Sequence, residues 1–303
     1  MKKAIYIIIL MLICSFLSAQ QMPQLSQRII NEMIFNPAAV GTKAEPEIML
    51  QHRSQWLGFD NSPMTQTISY NGKLMDYMGL GGYITNDITG PTRRLGFNLT
   101  YAYQIKTDNF NISLGIAGTV MQYGIDGRNI SLYDKDDPSI QENVSDRAWK
   151  PDASFGTYLY NDKLYAGISI MQLIPSKVKL YNGSFNGEIP LVNHFYIMSG
   201  YHVDIDEEFV LTPSFMFNST FSSPSQFDIN VRVDYQKKVF GAISYRLNDA
   251  VVLFAGICIK QQFKIAYSYD IVTSRLRNYN SGSHEFILSF NIPGKSDKTS
   301  SLL

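Results

Sequence analysis

Between residues 47 and 292 apolar and polar side chains alternate in runs of about nine to eleven residues, the length of a strand tilted across a bilayer. Alternation marks a strand with two unlike faces. In residues 225–236, Phe227, Ile229, Val231, Val233 and Tyr235 share one face, and Asp228, Asn230, Arg232, Asp234 and Gln236 share the other. Elsewhere the second face is small and polar: Leu95, Phe97, Leu99, Tyr101 and Tyr103 oppose Gly96, Asn98, Thr100, Ala102 and Gln104. Globular strands are shorter, about five or six residues. No apolar run after the first twenty residues is long enough for a spanning helix. A membrane crossing then requires a closed barrel, because only closure pairs every backbone N–H and C=O within hydrocarbon.

The connections set strand number and facing. Tight turns fall at residues 76–77, 106–109, 161–163, 205–208, 236–238 and 260–262. Longer loops fall at 58–64, 86–92, 125–151, 173–191, 218–225 and 273–283, with 247–250 a short exception. Outer-membrane barrels alternate short periplasmic turns with long outer loops in this way. The pattern predicts an all-β, transmembrane outer-membrane β-barrel of about fourteen antiparallel strands. They are placed at 47–57, 65–76, 78–86, 93–105, 109–123, 152–161, 163–172, 192–204, 208–218, 225–236, 238–247, 250–260, 262–272 and 283–292. Gly79, Gly81 and Gly82 interrupt the third strand and mark a bulge or a close backbone approach. Tyrosines near strand ends, at 101–103, 158–160, 245 and 267–269, fit aromatic girdles. A soluble all-β fold is the competing reading, and it would leave strand length, turn asymmetry and aromatic placement unconnected.

The first residues address the chain for export. Lys2 and Lys3 precede an apolar run over residues 4–17, then Ser18 and Ala19, the layout of a signal peptide cleaved before Gln20. The expected organisation is a signal peptide at 1–19, a periplasmic lead at 20–44, the barrel at 45–292 and a polar tail at 293–303, with both ends of the mature chain in the periplasm. Cys14 falls within the leader, so Cys258 alone remains and no disulfide or cysteine metal cluster is expected. Twenty-six basic and 26 acidic residues cancel, which argues against nucleic acid as a partner.

Little in the sequence carries chemistry. His52, His194, His202 and His284 are scattered without metal-ligand spacing, and no cofactor motif is present. His52 and Ser54 share a strand face and could form a hydrolase pair, with Asn71 as a third member. The charges on the barrel's inner face, Asp228, Arg232, Asp234, Lys264 and Asp270, either line a pore or close it as a salt-bridged plug.

Four motifs in the N-terminal fifth of the mature chain, and a fifth further on, resemble the PorP/SprF family of type IX secretion and gliding-motility outer-membrane proteins. They are residues 23–27 (PQLSQ), residues 36–41 (Asn36, Pro37, Ala38, Ala39, Val40, Gly41), then Arg53, Ser54, Gln55 and Trp56 with Gly58 and Phe59, then Pro63, Met64 and Thr65, and residues 79–90 with their glycines, Asn86 and Asp87. Val40 and the tail after Phe290 depart from the family pattern. The resemblance implies a Bacteroidota-type, non-enzymatic barrel that anchors or helps export surface proteins. Its implied partners are outer-membrane lipid, secretion or motility apparatus proteins and secreted surface proteins. A passive channel or hydrophobic-solute transporter is the alternative, and an outer-membrane lipid hydrolase a third reading.

Overall fold

The computed structural model describes residues 22, 24–129, 145–180, 188–220 and 223–293. The expected leader at 1–19 and most of the tail fall outside them. The wall begins with β1 (Glu47–Ser54), β2 (Met64–Met75), β3 (Met78–Thr89), β4 (Thr92–Lys106), β5 (Asn111–Asp126), β6 (Ser145–Tyr160) and β7 (Leu164–Met171). A small hairpin outside the barrel sheet, β8 (Lys177–Lys179) with β9 (Glu188–Pro190), follows. The wall resumes with β10 (His194–Tyr201) and its continuation β11 (Val203–Asp204), interrupted at His202. It ends with β12 (Phe209–Ser219), β13 (Gln226–Tyr235), β14 (Val239–Arg246), β15 (Ala250–Ile259), β16 (Phe263–Val272) and β17 (Ser283–Asn291). Each strand pairs antiparallel with its neighbour, and β1 pairs with β17 from Glu47↔Asn291 to Ser54↔His284. Counting β10 and β11 as one, the result is a closed antiparallel barrel of fourteen strands.

The alternation read from the sequence becomes inside and outside. Ile229 is 50% exposed and its neighbour Asn230 5%. Leu99, Ile116, Ile168, Leu253 and Phe286 continue an exposed apolar belt. Tight turns at one end use side-chain caps and left-handed pairs. The Asn161 carboxamide oxygen accepts from the N–H groups of Lys163 and Leu164, and Asp206 does the same for Glu208 and Phe209. Gln236 with Lys237, and Lys260 with Gln261, take positive φ at two successive positions, as two-residue hairpins require.

Four expectations need correction. β5 runs on to Asp126 and β6 begins at Ser145, so these strands overrun the expected loop at 125–151. The loop expected at 86–92 is a tight turn through Gly90 and Pro91, because pairing continues to Thr89↔Thr92. Tyr158 and Tyr160 are no girdle residues: both face the lumen, the Tyr158 hydroxyl donating to Glu32 at 2.6 Å and the Tyr160 hydroxyl to Gln104 at 3.1 Å. The lead is not a separate periplasmic segment either. From Gln24 to Thr42 it lies within the barrel.

Candidate functional site

The lead traverses the lumen from one mouth to the other. Gln24 donates to Asp249, in the β14–β15 turn, at 3.1 Å, and meets Gln55 at the end of β1 at 3.4 Å; both lie at the long-loop mouth. At the other end Gly41 packs on Gly79, at the start of β3, and Lys43 pairs with Glu47 at 2.6 Å. The first described residues therefore lie at the long-loop mouth, whereas β17 finishes beside Glu47 at the short-turn mouth. Two short 3-10 turns, Glu32–Ile34 and Pro37–Ala39, make the lead compact, and Asn36 caps the second by accepting from Ala38 N–H at 2.9 Å.

Its lower half, residues 33–41, is held by shape. Met33, Ile34, Phe35, Ala38, Ala39 and Val40 are buried against Tyr83, Ala102, Tyr158, Met171, Tyr196 and Met198 of the inner wall. Glycines on four strands provide the room. A Cβ on Gly79 would come within 2.3 Å of Val40 O, and one on Gly115 within 2.2 Å of Ala38 N. One on Gly156 would meet the Asn36 Oδ1 at 2.1 Å, and one on Gly167 the Asn36 Nδ2 at 2.5 Å. Hydrogen bonds complete the seat: Asn36 Nδ2 donates to Thr157 O at 3.0 Å, and Gly41 N–H to Asn71 Oδ1 at 2.7 Å. A buried backbone demands such partners. On the opposite side Ile30 packs with Met49, Phe240, Ala266 and Ile287.

The upper half, residues 24–31, is held by charge. Glu285, fully buried on β17, accepts the backbone N–H of Ser26 at 2.7 Å on one oxygen and that of Gln27 at 2.9 Å on the other. Ser26 Oγ donates to Asp270 at 2.7 Å and accepts from Arg53. Arg53 Nη2 meets Asp270 at 2.9 Å and Arg53 Nη1 meets Glu285 at 3.5 Å. Arg28 of the lead pairs with Asp228 at 3.2 Å, and Arg246 approaches Asp270 at 3.4 Å and Asp249 at 3.0 Å. Three guanidinium groups thus share four carboxylates where little water reaches. Charges are tolerated there because each has an opposite charge within ion-pair distance.

All five inner-face charges picked out in the sequence take part in ion pairs. Asp228 and Asp270 belong to the cluster above; Arg232 pairs with Asp234 at 2.5 Å and Lys264 with Glu47 at 3.3 Å. The family motifs divide between two tasks. Asn36, Pro37, Ala38 and Gly41 seat the lower half, and Arg53 clamps the upper. Gln55, Trp56, Gly58, Phe59 and Pro63 shape the β1–β2 loop instead. Gln55 N–H bonds Pro63 O at 2.9 Å, Trp56 N–H bonds Ser283 Oγ at 3.0 Å, and Gly58 takes φ +106°. Sequence reading singled out Ser26 only as part of the 23–27 motif and missed Arg28, Arg246 and Glu285. Glu285 was findable, because it alternates with Phe286 and Leu288 and so had to face inward beside Arg53.

Clefts of about 370 Å³ beside Arg28 and about 360 Å³ beside Met22 and Tyr123, open solvent included, flank the lead. His52 and Ser54 do meet, at 3.2 Å on the outer face, but Asn71 points into the lumen and orients neither. His202 bonds Thr212 at 2.9 Å and His284 bonds Tyr267 at 2.6 Å. Among the described residues no group of histidine, cysteine and carboxylate side chains is arranged to hold a metal ion.

The barrel resembles solved outer-membrane structures at low identity. The Ralstonia pickettii toluene transporter TbuX aligns with TM-score 0.51 at 11% identity, over 85% of this chain and 92% of that one. The CymD monoaromatic hydrocarbon channel aligns with TM-score 0.50 at 11% identity, over 92% and 96%. The Acinetobacter baumannii outer membrane protein Omp33 does so with TM-score 0.50 at 6% identity, over 82% and 98%. These likenesses show the fold alone. No curated protein sequence matches the chain. The profile of one sequence family does match, over residues 17–290, and with it the motifs that seat the lead: the chain belongs to the type IX secretion system membrane protein PorP/SprF family.

Proposed function

We propose that this protein is a non-enzymatic outer-membrane component of a type IX secretion or gliding-motility apparatus, anchoring surface proteins or helping to export them. Membership of the PorP/SprF family supports the link to the secretion system. The observation that carries the reading further is the occupied lumen: a barrel that holds its own lead inside, with Ser26 and Arg28 tied to wall carboxylates, suits an anchor better than a solute pore. In this reading a cleaved signal peptide exports the chain, the long loops face the cell exterior and meet secreted surface proteins, and the short turns meet periplasmic parts of the apparatus.

The test is affinity purification of a C-terminally tagged copy from detergent-solubilised native membranes, with mass spectrometry of what accompanies it. Enrichment of secretion or motility proteins, or of a large surface adhesin, is expected. A barrel that purifies alone, and whose loss leaves secretion intact, would overturn the reading.

The likeness to a toluene transporter and a hydrocarbon channel favours a second reading, passage of apolar solutes. It requires the lead to move, since the lead occupies the route. Lipid hydrolysis through Ser54 has less support, because the His52–Ser54 pair lacks an orienting partner and a serine nucleophile needs one.

A further inference from the structure

The lead's partners sort by their order in the chain. Its charged half reaches the last strands: Arg28 pairs with Asp228 on β13, Gln24 with Asp249 after β14, Ser26 Oγ with Asp270 on β16, and the Ser26 and Gln27 N–H groups with Glu285 on β17. Ile30 packs there too, on Phe240 of β14, Ala266 of β16 and Ile287 of β17. Its apolar half reaches the first strands, seated on Gly79, Gly115, Gly156 and Gly167 of β3, β5, β6 and β7. Ser169 of β7 adds a hydrogen bond to Phe35 O. One short segment therefore grips both the beginning and the end of the wall.

The same segment marks the seam where the barrel closes. Among the described strands, β1 and β17 are neighbours in the barrel sheet that stand at opposite ends of the chain, and Glu47 meets Ser289 across the seam from 242 positions away. No turn sets their register, and closing so long a loop costs more entropy than closing a hairpin. Two carboxylates tie that register to the lead. Glu285 of β17 takes the lead's backbone N–H groups, Gln51 Nε2 of β1 at 2.7 Å and Arg53 Nη1 of β1 at 3.5 Å. Glu47 of β1 takes Lys43 at the lead's end at 2.6 Å, Lys264 of β16 at 3.3 Å and the Ser289 hydroxyl of β17. A one-residue shift of β1 would carry Glu47, Gln51 and Arg53 to the lipid face and empty both sets.

We infer that the lead is an internal template for barrel closure: it captures β13–β17 through its charged half while its apolar half sits among β3–β7, and so delivers β1 to β17 in register. Only residues 43–46 separate the lead from β1, which keeps β1 beside any strand that the lead has bound. This role does not rest on the secretion reading. A lead that merely filled a finished barrel would stabilise it without changing how fast it closes.

The test is refolding of the urea-unfolded protein into micelles, timed by heat-modifiable migration. A seam disulfide between Leu50→Cys and Leu288→Cys, register partners on the lipid face, times closure itself in a Cys258→Ser background. A chain lacking residues 24–42 should close about tenfold more slowly or worse, and a free peptide of residues 24–42 at about 1 mM should restore most of the rate, because a short tether gives an effective concentration in the millimolar range. The same peptide in scrambled order should not. In the full chain, Arg28→Gln should slow closure by about threefold to tenfold and leave the unfolding rate nearly unchanged, as for a charged contact made before the rate-limiting step. This variant decides the matter if the shortened chain does not fold. Closure at full speed without the lead, equal rescue by the scrambled peptide, or an Arg28→Gln protein that only unfolds faster would overturn the inference.

Discussion

Asn36 and Gly156 interlock: the Asn36 Oδ1 stands where a side chain on β6 would begin, 2.1 Å from the Cβ that Gly156 lacks. The residues are 120 positions apart, and each explains the other. Asn36 can cap its turn and bond Thr157 O only because the wall is bare at that point.

Gly115→Val should therefore loosen the lead, since its Cβ would fall 2.2 Å from the Ala38 backbone nitrogen, which has no flexible end to yield. Overpacking of this kind costs about 1–3 kcal/mol. Limited proteolysis in micelles should cut residues 24–42 in the variant and spare them in the wild type. Gly118→Ala, where nothing lies within 4 Å, should behave as wild type. Equal protection in the Gly115 variant would mean that the seat is not tight.

Arg53→Ala should be among the most damaging single changes in the lumen. It leaves Asp270 and Glu285 buried with fewer counter-charges, a loss of about 3–5 kcal/mol for a broken buried pair. A urea unfolding midpoint in detergent would read it. Arg53→Lys keeps the charge but loses the fork that spans both carboxylates, and should fall between.

Ile229→Arg should impair assembly, because arginine on the lipid face costs about 2–4 kcal/mol near the membrane midplane. Asn230→Ser, one residue on and facing inward, should assemble normally. Heat-modifiable migration of the membrane-extracted protein distinguishes the two, and equal assembly would reverse the facing of β13.

In planar bilayers the wild-type barrel should conduct little, and a variant lacking residues 24–42 should show discrete conductance steps. Matching conductance in the two would mean that the lead does not close the route.

The β8–β9 hairpin has its own pH signature. Glu188 accepts from Lys177 at 2.5 Å and from Lys179 at 2.6 Å, and these ammonium groups hold its carboxyl down at about 2. A carboxylate with a lowered folded pKa stabilises the hairpin above its ordinary range, near 4.5, and that contribution disappears as pH falls towards 2. The pair is solvent-exposed, so added salt should weaken it too. Carbon-detected NMR of labelled Glu188 would follow the titration. An ordinary midpoint near 4.5 would remove the clamp.

What the sequence disclosed and what it hid follow from range. Alternation is local, so Ile229 and Asn230 took their faces from their neighbours alone, and most strand ends fell within a few residues of their expected places. The lead carries no alternation, and its burial depends on Gly79, Gly115, Gly156 and Gly167, spread over about ninety positions, which signal nothing until the barrel sets them side by side. For the same reason Tyr158 read as a girdle residue, although Glu32 inside the lumen is its partner. The inner charges were legible as inward, but their pairing with Ser26 and Arg28 was not, because those residues had been placed outside the wall.

The lead also alters how the molecule is wired across the membrane. Fourteen strands alone would return the chain to the mouth from which it started. The segment through the lumen is a fifteenth passage, so Gln24 and Asn291 stand at opposite mouths. Reporters at the two positions would therefore sit at opposite rims of the barrel, with the whole wall between them.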